Sequence, residues 1–167
     1  MVVSIWSYVI FAFYYITHIN PLAKFATTFS LVIDCIPYNK TLATQLMFYS
    51  IGDYLIEIPN YFDYCLIFFS LGNITKLYIH TNNYNQATIL ALIVYMNITP
   101  QLLNYILTHL FIMHYNFCFS YSLFLLSDII IGLSMYYKVN DTDIVTFPLY
   151  WLSNIASILE NTVDQKI

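Results

Sequence analysis

The sequence predicts an all-α fold, a polytopic bundle of about eight transmembrane helices, and three observations carry that prediction. The 167 residues are 60% hydrophobic and only 8% charged, with a mean hydropathy of +0.68. An ordinary globular domain is about a quarter charged, and so few charges would not cover a water-facing surface of this size. Apolar runs recur from end to end, so a single anchor on an otherwise polar domain does not account for them. The runs also lack period-two alternation: residues 122–131 read SLFLLSDIII. A backbone in lipid must satisfy its own hydrogen bonds as a helix or as a closed, alternating barrel, and the pattern selects helices. The expectation is one integral, multi-pass membrane domain over residues 1–167, with the bilayer as its solvent.

Polar breaks divide the chain into segments 2–17, 21–36, 41–58, 62–79, 86–98, 101–116, 119–137 and 144–160. Each break has local chemistry. Asn20-Pro21, Pro37 with Asn39, Pro59-Asn60 and Thr99-Pro100 are turn formers, and residues 81–86 (TNNYNQ) form a polar loop. Residues 138–143 (KVNDTD) make the most charged loop. Segments 5 and 6 meet at Pro100 and could be one kinked helix, which lowers the count to seven. The first run, 2–16, has neither a basic leader nor a small-residue cleavage site and is read as a retained helix.

The charge pattern narrows the function classes. There is no arginine, the five lysines are scattered and the net charge is −4, so no nucleic-acid partner is expected. Cys35, Cys65 and Cys118 lie in apolar runs without redox or metal spacing. His18, His80, His109 and His114 form no compact ligand motif; His109 and His114, five apart, fall on different helix faces. No metal and no cofactor are expected.

Asp53 and Asp128 stand out because each interrupts an apolar helix: Ser50-Ile51-Gly52-Asp53 in the third segment and Leu126-Ser127-Asp128 in the seventh. An ionisable group at membrane depth costs at least ~2.5 kcal/mol and tends to mark function. In an eight-helix count these two segments run in the same direction. The two residues lie roughly one helical turn apart in depth, close enough to share a layer. Two carboxyls in a poorly solvated cavity do not both ionise cheaply, which suits an acid/base pair or a proton relay. Asp34, Glu57 and Asp63 fall near segment ends, and Asp141, Asp143, Glu160 and Asp164 in polar surroundings, so all are expected to be reached by water.

These motifs resemble those of the YhhN-like lysoplasmalogenases, small multi-helix membrane hydrolases, of which the chain looks like a divergent member. Ser50-Ile51-Gly52-Asp53, followed by Pro59, Phe62 and Phe69, is similar to the family's Ser/Gly-Asp element. Phe124-Leu125-Leu126-Ser127-Asp128 resembles its Phe-x-x-Ser-Asp in the penultimate helix. Tyr150-Trp151 with Asn154 resembles the aromatic pair and amide of the last helix, and Pro21 with Lys24 a Lys-Pro near the second. Departures are Asn73 and Lys76 where the family has His and then Tyr, and Asn154 in place of Gln.

The resemblance implies hydrolysis of the vinyl-ether bond of a membrane lysoplasmalogen to a fatty aldehyde and a glycerophospho-base, without a cofactor. Asp53 and Asp128 would be catalytic, with Asn73, Asn154, Lys24 and Tyr150 binding substrate or supporting the site. A proton-coupled membrane transporter using the same two aspartates, and a non-catalytic protein that keeps the fold, are the competing readings.

Overall fold

The computed structural model describes residues 2–18, 20–81, 101–115, 118–137 and 143–163. These form seven helices: α1 (Val2–His18), α2 (Pro21–Cys35), α3 (Lys40–Ile56), α4 (Phe62–Thr81), α5 (Gln101–Tyr115), α6 (Phe119–Tyr137) and α7 (Asp143–Val163). Each begins and ends within three residues of an expected segment. The segment at 86–98 lies outside the described residues.

Local chemistry explains the boundaries. Asn20 caps α2 by accepting the Leu22 amide at 2.9 Å, and Pro21 opens the helix where its missing N–H costs nothing. Asn39 caps α3 in the same way through the Leu42 amide at 3.0 Å. Between α3 and α4, Asn60 adopts φ 71°, the left-handed conformation that asparagine tolerates better than most residues.

The transmembrane expectation is corrected here. Among the described residues, no helix is long and apolar enough to cross a membrane. This overturns both the polytopic transmembrane bundle and the integral, multi-pass localisation read from composition. Two physical reasons apply. Helices α2 and α5 have 15 residues and α1 and α3 have 17, so at ~1.5 Å per residue they reach about 22–26 Å against a hydrocarbon core of about 30 Å. The longer helices are interrupted: α4 by Asp63, Asn73 and Lys76, α6 by Ser127 and Asp128, and α7 by Pro148, Asn154 and Glu160. The hydrophobic fraction also counts 17 tyrosines, and the hydroxyls of Tyr15 and Tyr49 make hydrogen bonds to polar side chains of neighbouring helices.

The chain divides into two compact units, Met1–Asn116 and Phe117–Ile167. In the first, helices adjacent in sequence pack on one another: α1 on α2, α2 on α3, α3 on α4 and α4 on α5. Its core includes Tyr8, Tyr15, Leu31, Leu42, Leu46 and Leu77. The second unit is the α6–α7 hairpin, where the Phe124 and Tyr150 rings meet at 5.6 Å. Glu160 of α7, expected to be solvated, accepts the Ser120 amide at 3.0 Å and its hydroxyl at 2.6 Å. A carboxylate there satisfies an N-terminal donor of α6 and complements its dipole.

Candidate functional site

Lys24 and Thr28 are four residues apart on α2, and Asp53 and Glu57 are four apart along α3 and its cap, so each pair shares a helix face. The two faces meet. Thr28 Oγ1 donates to Asp53 Oδ2 at 2.6 Å, and Lys24 Nζ donates to Glu57 Oε1 at 2.7 Å. Because α2 and α3 run antiparallel, these bonds form two rungs one helical turn apart. Helix α1 closes one side: Tyr15 donates its hydroxyl to the same Glu57 Oε1 at 2.7 Å, and Lys24 Nζ stands 5.3 Å from the centre of the Tyr15 ring. That distance is within cation–π range.

The rungs differ in exposure. Asp53 is 2% exposed, whereas the Glu57 side chain is 20% exposed and that of Lys24 6%. Glu57 therefore forms the outer end of the site and Asp53 its floor. Gly52, beside Asp53, faces α4 so closely that a Cβ there would stand 2.9 Å from Phe69 Cε1. The glycine of the Ser-Ile-Gly-Asp element thus lets α4 close against α3 next to the carboxyl.

A second polar cluster links α3, α4 and α5. Tyr49 donates to Asn73 Oδ1 at 2.7 Å, Asn73 Nδ2 donates to Thr108 Oγ1 at 3.3 Å, and His109 Nε2 lies 3.5 Å from the same nitrogen. Asn73 is fully buried. Its amide spans three helices and acts as a tie between them.

In the second unit, Asp128 is half-buried on α6. The hydroxyl of Tyr121, seven residues earlier on the same face, is raised well above its ordinary range, first by burial and then by the Asp128 charge and Cys118. Tyr150 is buried against Phe124. Asn154 is buried one turn beyond it, and its Nδ2 has no hydrogen-bond partner among the described residues.

Of the residues expected from sequence, Lys24 and Asp53 thus stand on neighbouring rungs and Asn73 lies in a separate cluster of the same unit. Asp128, Tyr150 and Asn154 belong to the second unit. Sequence reasoning missed Tyr15 and Thr28 and assigned Glu57 to solvent. The missing signal was the four-residue step from Asp53 to Glu57, matched by the step from Lys24 to Thr28. An open cavity of about 360 Å³ between α1 and α2, lined by Phe11, Phe25, Phe29, Ile33 and Asp34 among others, contains neither Tyr15 nor any of the four rung residues.

Burial also sets an alkaline limit on stability. The Cys35 thiol is pushed from 9.0 up to about 11, mainly by burial and secondarily by the Asp34 charge. A raised folded-state value means the native chain keeps a proton that the unfolded chain loses. The contribution is fully present below pH 9 and lost as pH rises through 11, and Tyr121 adds a loss in the same direction above pH 10. The urea midpoint should therefore fall between pH 9 and 11, and more shallowly in Cys35→Ala. An identical slope in both proteins would refute the assignment to Cys35.

Comparison of the chain with protein-family models, with curated proteins and with solved structures gives no match in any of the three.

Proposed function

We propose that this chain hydrolyses the vinyl-ether bond of a lysoplasmalogen, releasing a fatty aldehyde and a glycerophospho-base. The observation that carries the reading is Asp53, a carboxyl 2% exposed inside a helix and held by the Thr28 hydroxyl. It is the Asp of the Ser50-Ile51-Gly52-Asp53 element. Buried titratable groups with specific partners are candidates for function on physical grounds. A vinyl ether suits a carboxylic acid because its slow step is protonation at carbon, which creates an oxocarbenium ion that water then captures. General acid catalysis of this kind is worth about 10²–10⁴ in rate. The cation also needs a preorganised negative group nearby.

The test is aldehyde release from a purified 1-alkenyl-glycerophosphoethanolamine. Asp53→Asn, which keeps the size and the acceptor for Thr28, should lower kcat at least 100-fold while thermal unfolding stays close to that of the wild type. Aldehyde release by Asp53→Asn at the wild-type rate would falsify the reading.

A further inference from the structure

We propose that Glu57 is the second carboxyl of the reaction, and that the catalytic pair is Asp53 and Glu57 on one face of α3. The inference rests on the vinyl-ether reading above, and it moves the role expected of Asp128 to a residue that the sequence pattern assigned to solvent. Side chains four apart on a helix have Cβ atoms about 5–6 Å apart. With one helical turn between them, both carboxyls can face one substrate, and a pair of carboxyls flanking the reacting bond serves glycoside hydrolysis, which passes through the same type of oxocarbenium ion.

The surroundings divide the labour. Glu57 Oε1 is held by two donors, Lys24 Nζ and Tyr15 Oη, both at 2.7 Å. The carboxylate is thus fixed in place by short, charge-assisted hydrogen bonds on one of its oxygens. Glu57 is also the more exposed of the two, at the end where an amphiphile and water arrive. Asp53 lies one turn deeper, with Thr28 fixing Oδ2.

The step balances as follows. The Asp53 carboxyl gives its proton to the alkenyl carbon distal to the ether oxygen, and the C=C electron pair forms the new C–H bond. The cation left on the O–C unit is stabilised by the Glu57 carboxylate. Water adds to the cationic carbon, its oxygen supplying the electron pair of the new C–O bond, and its surplus proton returns to Asp53. The resulting hemiacetal breaks its bond to the glyceryl oxygen as its hydroxyl proton passes to that oxygen. One vinyl ether and one water become one aldehyde and one alcohol. Lys24 and Tyr15 are positioning residues, since they act through Glu57.

The experiment compares kcat and KM for aldehyde release in the full chain and in Glu57→Gln, Glu57→Asp, Asp128→Asn and Asp63→Asn. Asp63, exposed in the first turn of α4, is the carboxyl control. Glu57→Gln should lose at least 100-fold in kcat with KM changed less than 3-fold, Glu57→Asp should recover part of the loss, and Asp63→Asn should match the wild type. Circular dichroism melts separate this from misfolding. If Glu57→Gln melts early, the double variant Lys24→Met/Glu57→Gln, which removes the buried charge as well, must still be inactive. An active Glu57→Gln, or an active double variant, overturns the inference alone, as does a kcat loss confined to Asp128→Asn. A wild-type protein that releases no aldehyde overturns the vinyl-ether reading and this inference together.

Discussion

Glu57→Ala should destabilise the chain by about 2–3 kcal/mol, less than the loss of a partner in a fully buried ion pair because the Glu57 side chain is 20% exposed. Lys24 is 5% exposed, and the substitution leaves its ammonium inside the α1–α2–α3 contact without that carboxylate. The Tyr15 hydroxyl loses the same acceptor. For a chain of this length the change corresponds to a fall in Tm of up to about 10 °C. The pair itself is a poor source of net stability, because both charges must be desolvated. Lys24→Met/Glu57→Gln should therefore recover most of the loss. A Glu57→Ala protein within about 1 kcal/mol of the wild type, the effect expected of a solvent-screened pair, would refute the largely buried placement of this rung.

Gly72→Ala should be destabilising by up to about 2 kcal/mol net, against the direction expected of glycine replacement inside a helix. Helix propensity alone would favour alanine by about 1 kcal/mol. The structure opposes it: a Cβ at residue 72 would overlap Cδ1 and Cε1 of the Tyr49 ring. That ring is 1% exposed, tilted against Phe69 with centroids 6.1 Å apart, and anchored through its hydroxyl to Asn73. Tyr49 has no free direction in which to give way, and overpacking a filled core costs about 1–3 kcal/mol. The decisive measurement is a double-mutant cycle by urea unfolding. In a Tyr49→Leu background, Gly72→Ala should become neutral or stabilising; equal cost in both backgrounds would mean the clash lies elsewhere.

The positions of the helices were legible because their ends are marked by local chemistry. Asn20-Pro21, Asn39 and Pro59-Asn60 end or cap helices by hydrogen bonds and φ restrictions that hold in any solvent. Composition was a poorer guide to what surrounds the helices. Counting Tyr15, Tyr49 and Tyr121 as apolar hides that their rings fill the interior while the Tyr15 and Tyr49 hydroxyls bind Glu57 and Asn73. Counting apolar runs does not weigh lengths of 15–17 residues against a bilayer.

The candidate site was legible where one residue broke an apolar pattern by itself. Asp53 could be singled out on that basis, and Lys24 by its motif. Thr28 and Tyr15 could not, because a threonine or tyrosine inside an apolar helix is unremarkable until the partner across the interface is known. Glu57 was misjudged for a related reason: closeness to a helix end is a one-dimensional measure, whereas water access depends on what the neighbouring helices place over that end. Here α1 and α2 supply Tyr15 and Lys24.

The packing of each helix on its sequence neighbour within the first unit has a consequence for the order of assembly. Both rungs and the Tyr15 contact draw only on residues 15–57. During synthesis these residues leave the ribosome before those of α4, α5, α6 and α7. Local contacts of this kind close fastest, because little loop entropy opposes them. The buried charge of Lys24 can thus meet Glu57 as soon as α3 emerges and need not wait exposed for a distant part of the chain. The aspartate floor is laid down in the same step, so the helices that follow add to a hairpin whose polar interior is already matched.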